Sequence, residues 1–287
     1  MSAMIEAKNV NFAYRRGVPV LNDITCTVQD GEAVSLLGHN GSGKTTLSRL
    51  FMALDHPRSG QVRVDGVDIA NFEPADLADK VGYVFQNPDL QLLGDTVYEE
   101  VAYGLENRKI PKAALDTQVR EAVEAMGLTP YLEKYPRSLS FGQKRRLGVA
   151  AALALQPRTL ILDEITNGQD EQEKMDMMRY LSGLQQEKHM TLILITHDME
   201  IARKYTNHAL VLHDGSLVYD GKTQDLFDGK RPIGEWGLQQ PVLSRLNALF
   251  GVRAESPEGL CALLQCKLSP AERSASVNAG IEGGNRT

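Results

Sequence analysis

The sequence predicts an α/β fold built around a largely parallel β-sheet. Three observations carry that expectation. Short apolar, β-branched runs bounded by turn residues recur along the chain, helical patterns fall between most of them, and one glycine-rich loop, Gly38 to Thr46, joins such a run to a helix. Strands that are apolar on both faces need covering on both faces, which crossover helices supply in a parallel arrangement. With 287 residues, 42% hydrophobic and 24% charged, the chain is long enough to bury a sizeable core.

The apolar runs are, in order, VNFAY, EAVSLLG, VGYVFQ, TLILDE, TLILIT and HALVLHDG. Between about 87 and 156 the alternation stops. There VYEEVAYGLENRK, PKAALDTQVREAVEAMG and GQKRRLGVAAALAL read as successive helices with no clear strand, which predicts a helical subdomain inserted into the α/β core. The pattern weakens after about Gly229, so a main domain over 1–229 and a C-terminal extension over 230–287 are expected. From 269 the tail SPAERSASVNAGIEGGNRT is small, polar and glycine-rich, and is expected to be mobile.

Charge and terminal composition narrow the function classes. A formal net charge of -6 lacks the basic footprint of a nucleic-acid binder, so no nucleic-acid partner is expected. The N-terminal MSAMIEAKNV has no basic start followed by an apolar stretch, and the longest nearly apolar runs, LGVAAALAL and TLILIT, are well short of the ~20 residues that span a bilayer. A cytosolic chain is expected, with any membrane role exercised through a partner. Cys26, Cys261 and Cys266 are odd in number and lack metal-like spacing, which reads as reduced thiols.

The chemistry begins at GHNGSGKTT. It follows the strand EAVSLL and precedes the helical TTLSRLFMAL, the context a Walker A phosphate loop requires. Gly38, Gly41 and Gly43 let backbone N–H groups close around phosphates, with Asn40, Ser42 and Thr46 in the same loop. Lys44 supplies a cation for the β and γ oxygens, and the Thr45 hydroxyl is a magnesium ligand. Downstream, RTLILDEITN ends a strand in two carboxylates. Asp163 is placed to hold magnesium through its water shell, and Glu164 to orient or deprotonate the water that attacks the γ-phosphate. Gln86 closes VGYVFQ and His197 closes TLILITH, so both are delivered to the sheet edge where ligands of such folds collect. Gln86 there reaches magnesium or the lytic water, and His197 donates to the γ-phosphate.

A second anion site is written at Leu139 to Gln143, LSFGQ, followed at once by KRRLGVAAALAL. A hydroxyl, a glycine and a helix start together offer free amides and a helix dipole to phosphate. With these motifs in this order, the chain resembles the ATP-binding-cassette ATPases over roughly Met4 to Asp228. The resemblance implies a P-loop NTPase (RecA-like) core with an antiparallel β subdomain, and ATP with Mg2+ as cofactors. It makes LSFGQ the family's signature motif, whose Ser140, Phe141, Gly142 and Gln143 serve nucleotide bound by a second ABC ATPase subunit in a head-to-tail dimer. Tyr14 fits the aromatic adenine platform, and Asn167 to Asp170 the D-loop. Three positions depart from the family pattern. Phe141 stands where a second glycine is usual, Ile165 replaces a common proline, and Gln169 replaces a common leucine where subunits communicate.

Within that family, QNPDLQLLGDTVYEEVAYG and GEWGLQQPVLSRLNALFG are similar to the ATPases of energy-coupling-factor importers. That resemblance implies an integral membrane coupling protein docking at Pro88 to Glu100, a separate capture subunit for a vitamin or transition-metal ion, and a peripheral position on the cytoplasmic face of the cell membrane. Lys144 to Arg146 reads as a solvated helix face, with an intersubunit contact as the sharper option. Another importer or exporter ATPase, a soluble cassette ATPase and a P-loop kinase are the rival readings. A kinase leaves LSFGQ, Gln86 and His197 without a purpose.

Overall fold

The structure, a computed structural model, describes residues 3–15, 17–167, 170–254 and 256–267. Gly168 and Gln169 of the expected D-loop, and the tail expected to be mobile from 269, lie outside the described residues. In chain order the elements are β1 (Ala3–Phe12), β2 (Leu21–Gln29), β3 (Ala33–Leu37), α1 (Lys44–Phe51), β4 (Ser59–Val64), β5 (Val67–Asp68), α2 (Pro74–Leu77) and β6 (Val81–Val84). There follow α3 (Val97–Asn107), α4 (Lys112–Ala125), α5 (Phe141–Ala154), β7 (Thr159–Asp163), α6 (Glu171–Lys188), β8 (Thr191–Ile195) and α7 (Met199–Tyr205). The chain closes with β9 (His208–His213), β10 (Ser216–Lys222), α8 (Thr223–Leu226), α9 (Val242–Phe250) and α10 (Pro257–Lys267).

Two sheets organise these elements. The larger has the order β10-β9-β3-β8-β7-β6, parallel from β9 to β6 with β10 as an antiparallel edge. The smaller, β2-β1-β4-β5, is antiparallel throughout. The period-2 alternation of strand side chains explains why β7 and β8 are apolar at nearly every position. Leu160, Leu162, Leu192 and Leu194 face a core shared with α3, α4, α5 and α6. Ile161, Ile193 and Ile195 face the opposite core, where α1 and the antiparallel sheet cover the other side. The fold class is therefore α/β with a separate antiparallel sheet, as expected. Between the adjacent strands β6 and β7 the chain makes the three-helix excursion α3 to α5.

The helix starts follow from local chemistry. Thr96 caps α3 in a reciprocal box, its Oγ1 accepting from the Glu99 N–H at 3.1 Å while Glu99 Oε2 accepts from the Thr96 N–H at 3.1 Å. Among the described residues no helix is long and apolar enough to cross a membrane. Cys26 and Cys261 are both free thiols, and burial pushes Cys26 up to about 12.

One ion-pair network ties β9 into the sheet. His208 Nε2 lies 2.7 Å from Asp220 Oδ1 on β10, and Nδ1 lies 3.2 Å from Glu32 Oε1. Burial alone would lower the imidazole pKa, but the bonds to Asp220 and Glu32 outweigh it and raise it to about 9. The folded value stands above the unfolded value of about 6.5. Its stabilisation is therefore complete below that pH and disappears as pH rises through about 9. His208→Gln is expected to lower the melting temperature at pH 6 and to cost little at about pH 10. A pH-independent difference between variant and wild type would contradict this assignment.

Candidate functional site

The phosphate loop leaves the C-terminal end of β3 and enters α1, whose N-cap, Gly43, brings no side-chain cap to the first turn. Its backbone requires glycine. Gly38 has φ +146°, and a Cβ there would meet Leu212 O at 2.2 Å and Ser42 Oγ at 2.5 Å. Gly43 has φ +104°, with Leu21 Cδ2 2.7 Å from where a Cβ would stand. Gly38→Ala is expected to cost about 1–3 kcal/mol through backbone strain and overpacking, and to weaken ATP binding along with the loop. Thermal melts with and without ATP check this, and unaltered melts would contradict it.

Lys44 is buried and folds back over the loop, its Nζ donating to Gly38 O and His39 O, each at 2.9 Å. Burial lowers its pKa, opposed by the nearby Glu164 and Asp163 carboxylates. Ser42 is buried and its Oγ has no hydrogen-bond partner, whereas Asn40 and Gly41 are exposed at the loop tip. Thr46 Oγ1 lies 3.3 Å from the Tyr14 hydroxyl. The Tyr14 ring meets Phe12 edge-on at 4.8 Å and is 56% exposed, so a ring face is open to a flat ligand. His39 Nε2 lies 3.1 Å from Asp214 Oδ1, anchoring the loop to the turn after β9.

Beside the loop, β7 ends at Asp163. Thr45 Oγ1 donates to Asp163 Oδ2 at 3.2 Å, and the Tyr83 hydroxyl donates to the same oxygen at 3.0 Å. Burial raises the Asp163 pKa, partly countered by the Tyr83 hydrogen bond. The other oxygen, Oδ1, is buried and has no hydrogen-bond partner. An orphaned carboxylate oxygen next to a hydroxyl is an all-oxygen donor pair suited to magnesium, which keeps several waters and needs few protein ligands. The residues present therefore fit Mg2+.

Glu164 follows in the left-handed conformation, φ +51°, which a non-glycine residue adopts only at a cost of about 1–3 kcal/mol. Both its carboxylate oxygens are engaged. Oε1 lies 2.5 Å from His197 Nε2, and Oε2 accepts from Gln86 Nε2 at 2.5 Å and Asn167 Nδ2 at 3.1 Å. The structure thus brings Gln86, Glu164 and His197 together but places Gln86 on the glutamate rather than on Asp163. Gln86 lies two residues beyond β6, so it reaches in from a loop. Asn167 belonged to the expected D-loop, but its bond to Glu164 was not legible in the sequence. Asp170 caps α6, its Oδ1 accepting from the Glu173 N–H at 2.8 Å.

The LSFGQ segment forms the start of α5. Ser140 is the N-cap, its Oγ accepting from the Gln143 N–H at 3.3 Å while Gln143 Oε1 accepts from the Ser140 N–H at 2.9 Å. Ser140 is exposed, Gly142 is half-buried, and Phe141 is 46% exposed. The reading of Lys144 to Arg146 as a solvated face is corrected. Lys144 pairs with Asp89 at 2.8 Å, Arg146 with Glu173 at 3.0 Å, and Arg145 is buried. A helix packed against the edge strand β6 and against α3 and α4 has little solvated face left for a three-residue basic run. A cavity of about 410 Å³, lined by Asp30, Gln118, Tyr180 and Lys188 among others, lies at the opposite, N-terminal ends of β7 and β8 and touches none of these groups.

The model of the ABC transporter family matches residues 21–167, just over half of the chain. The chain is 38% identical over 248 residues to the energy-coupling factor transporter ATP-binding protein EcfA1 of Mycoplasma mobile, covering 86% of this chain and 90% of that one. It is similar to the solved structure of cbiO1 from Clostridium perfringens, part of the ABC transporter complex cbiONQ, with TM-score 0.74 and 31% identity over 88% of this chain and 100% of that one. It is also similar to the dimeric ATP-binding cassette MJ0796 bound to ADP and Pi, with TM-score 0.71 and 28% identity over 77% of this chain and 99% of that one. The chain spans 38% to 43% of the length of several longer relatives described as putative ABC transporter ATP-binding proteins. The phosphate loop, the paired carboxylates and these matches together show that the chain belongs to the ABC transporter family and carries its ATP-binding cassette.

Proposed function

We propose that the chain binds ATP and hydrolyses it to power an energy-coupling-factor type importer for a vitamin or transition-metal ion. The observation that carries the hydrolysis is the convergence of Gln86, Asn167 and His197 on Glu164 beside the Lys44–Thr45–Asp163 cluster, and the similarity to EcfA1 of Mycoplasma mobile supports the importer type. Thr45 and Asp163 would hold Mg2+, which supplies charge neutralisation around the β and γ oxygens. Lys44 turns from Gly38 O and His39 O toward the phosphates. Glu164 accepts the proton of the attacking water once one of its present donors releases it, and His197 orients the carboxylate or donates to the γ-phosphate. This positions and stabilises charge without a covalent intermediate.

The signature residues Ser140, Phe141, Gly142 and Gln143 would serve a second ATPase subunit, like or unlike this one, in a head-to-tail pair. The dimeric state of the similar cassette MJ0796 supports pairing. Residues 1–229 form the nucleotide-binding domain and 230–287 an extension. Leu90 and Leu93, 76% and 69% exposed, offer an apolar surface within the Pro88 to Glu100 stretch for a membrane coupling protein, with the chain peripheral on the cytoplasmic face. The test is gentle detergent extraction of the chain from its native membranes and identification of its companions. Recovery of a polytopic membrane protein with a small membrane subunit supports the reading, and recovery of soluble partners alone overturns it.

A further inference from the structure

We propose that Arg145 is a positioning residue that couples the signature helix to the chain's own hydrolytic glutamate, with Phe141 as its cover. The inference rests on the ATPase reading above and adds a device to it. Arg145 is 3% exposed, one turn into α5. Its Nη1 donates to Glu164 O at 2.8 Å and to Asn167 O, and its Nη2 donates to Gln86 O at 3.3 Å. These are the same three residues whose side chains meet at Glu164 Oε2. One guanidinium therefore holds, by their main-chain oxygens, all three members of a cluster that closes on one carboxylate oxygen.

The geometry gives this clamp a direction. A guanidinium presents donors in a rigid, planar fork, so the three carbonyls are fixed relative to one another and to α5. The Glu164 peptide is held on both sides, its N–H donating to Ile195 O at 2.9 Å and its carbonyl accepting from Arg145. The left-handed backbone of Glu164 is thereby fixed from β8 on one side and from α5 on the other. Phe141, one helical turn before Arg145, lays its ring 4.5 Å from the guanidinium carbon. The residue that departs from the family's second glycine is thus the lid of the buried cation. Ser140 caps this same helix, so a displacement of the signature segment is carried by α5 into the Gln86, Glu164 and Asn167 peptides together.

The test compares the full chain with Arg145→Gln, Arg145→Lys and Phe141→Ala, using phosphate release against ATP concentration and ATP binding measured separately. A misplacement of about 1 Å costs about 100-fold in rate, so Arg145→Gln is expected to lower kcat by ~10- to 100-fold while ATP affinity changes by less than about 2-fold. Lysine lacks the fork and should restore only part of the loss. Phe141→Ala, at a half-exposed position that leaves folding intact, should lower kcat by a few fold and flatten the ATP dependence. Wild-type kcat in Arg145→Gln, or equal losses of kcat and affinity there, overturns the inference. Should Arg145→Gln not fold, wild-type kcat and steepness in Phe141→Ala overturn it alone. A wild-type chain that releases no phosphate overturns the ATPase reading and this inference with it, a result distinct from active but unaltered variants.

Discussion

Glu164→Gln is expected to bind ATP as the wild-type chain does and to lose turnover by ~10²- to 10⁴-fold, the range that general-base catalysis contributes. The substitution changes one oxygen to an amide nitrogen at a position where the carboxylate is nearly buried and bonded by Gln86, Asn167 and His197. Glutamine matches the shape, so the left-handed turn and the Arg145 bonds to the main chain are expected to persist. What it removes is the proton acceptor. The proposed ATP contacts lie on Lys44, Thr45 and the loop amides, none of which is the residue substituted. Equilibrium binding of ATP beside phosphate release checks both halves, and wild-type turnover in the variant would sink the assignment of Glu164.

Lys44→Ala is expected to act on the other half of the reaction and to weaken ATP binding itself. The Lys44 ammonium is already buried in the loop and held by two main-chain oxygens at 2.9 Å, which it would exchange for phosphate oxygens. Hydrogen bonds to charged groups contribute about 1.5–3 kcal/mol each, so affinity should fall by ~10- to 100-fold. The same change leaves Gly38 O and His39 O without a donor, which should also loosen the loop. Titration of ATP into the variant checks the prediction. Undiminished affinity would remove the phosphate loop from the site.

The motif-bearing half of the molecule was legible because its physics is local. The parallel strands β3, β6, β7, β8 and β9 are apolar on both faces, and each falls within a run that stands out by composition alone. The phosphate loop, Asp163, Glu164 and His197 then follow from strand ends. The antiparallel strands were harder. LNDITCTVQ alternates buried and solvent-facing positions, as a strand covered on one face does, and SGQVRV likewise carries few apolar residues. Neither makes a run, and only the family resemblance implied an antiparallel sheet there.

The cluster around Glu164 shows a different limit. Gln86 and His197 were placed near the phosphates by their strands, but their bonds to Glu164 depend on how two loops turn after those strands. Arg145 was misread because a basic tripeptide on a helix is ordinarily solvated. Only the tertiary structure shows that α5 is packed against the edge strand β6 and against α3 and α4, and that the middle arginine of the three is buried. The carbonyls it binds come from residues 19 to 59 positions away, and no periodicity announces such a contact.

The central claim is that this site hydrolyses ATP with water as the acceptor. The most direct test is phosphate release by the purified full chain from ATP, with and without Mg2+, and with no other phosphoryl acceptor present. The account predicts Mg2+-dependent release of inorganic phosphate that Glu164→Gln abolishes. Transfer that appears only when a small-molecule acceptor is added, or release that is indifferent to Mg2+ and to Glu164→Gln, would contradict it.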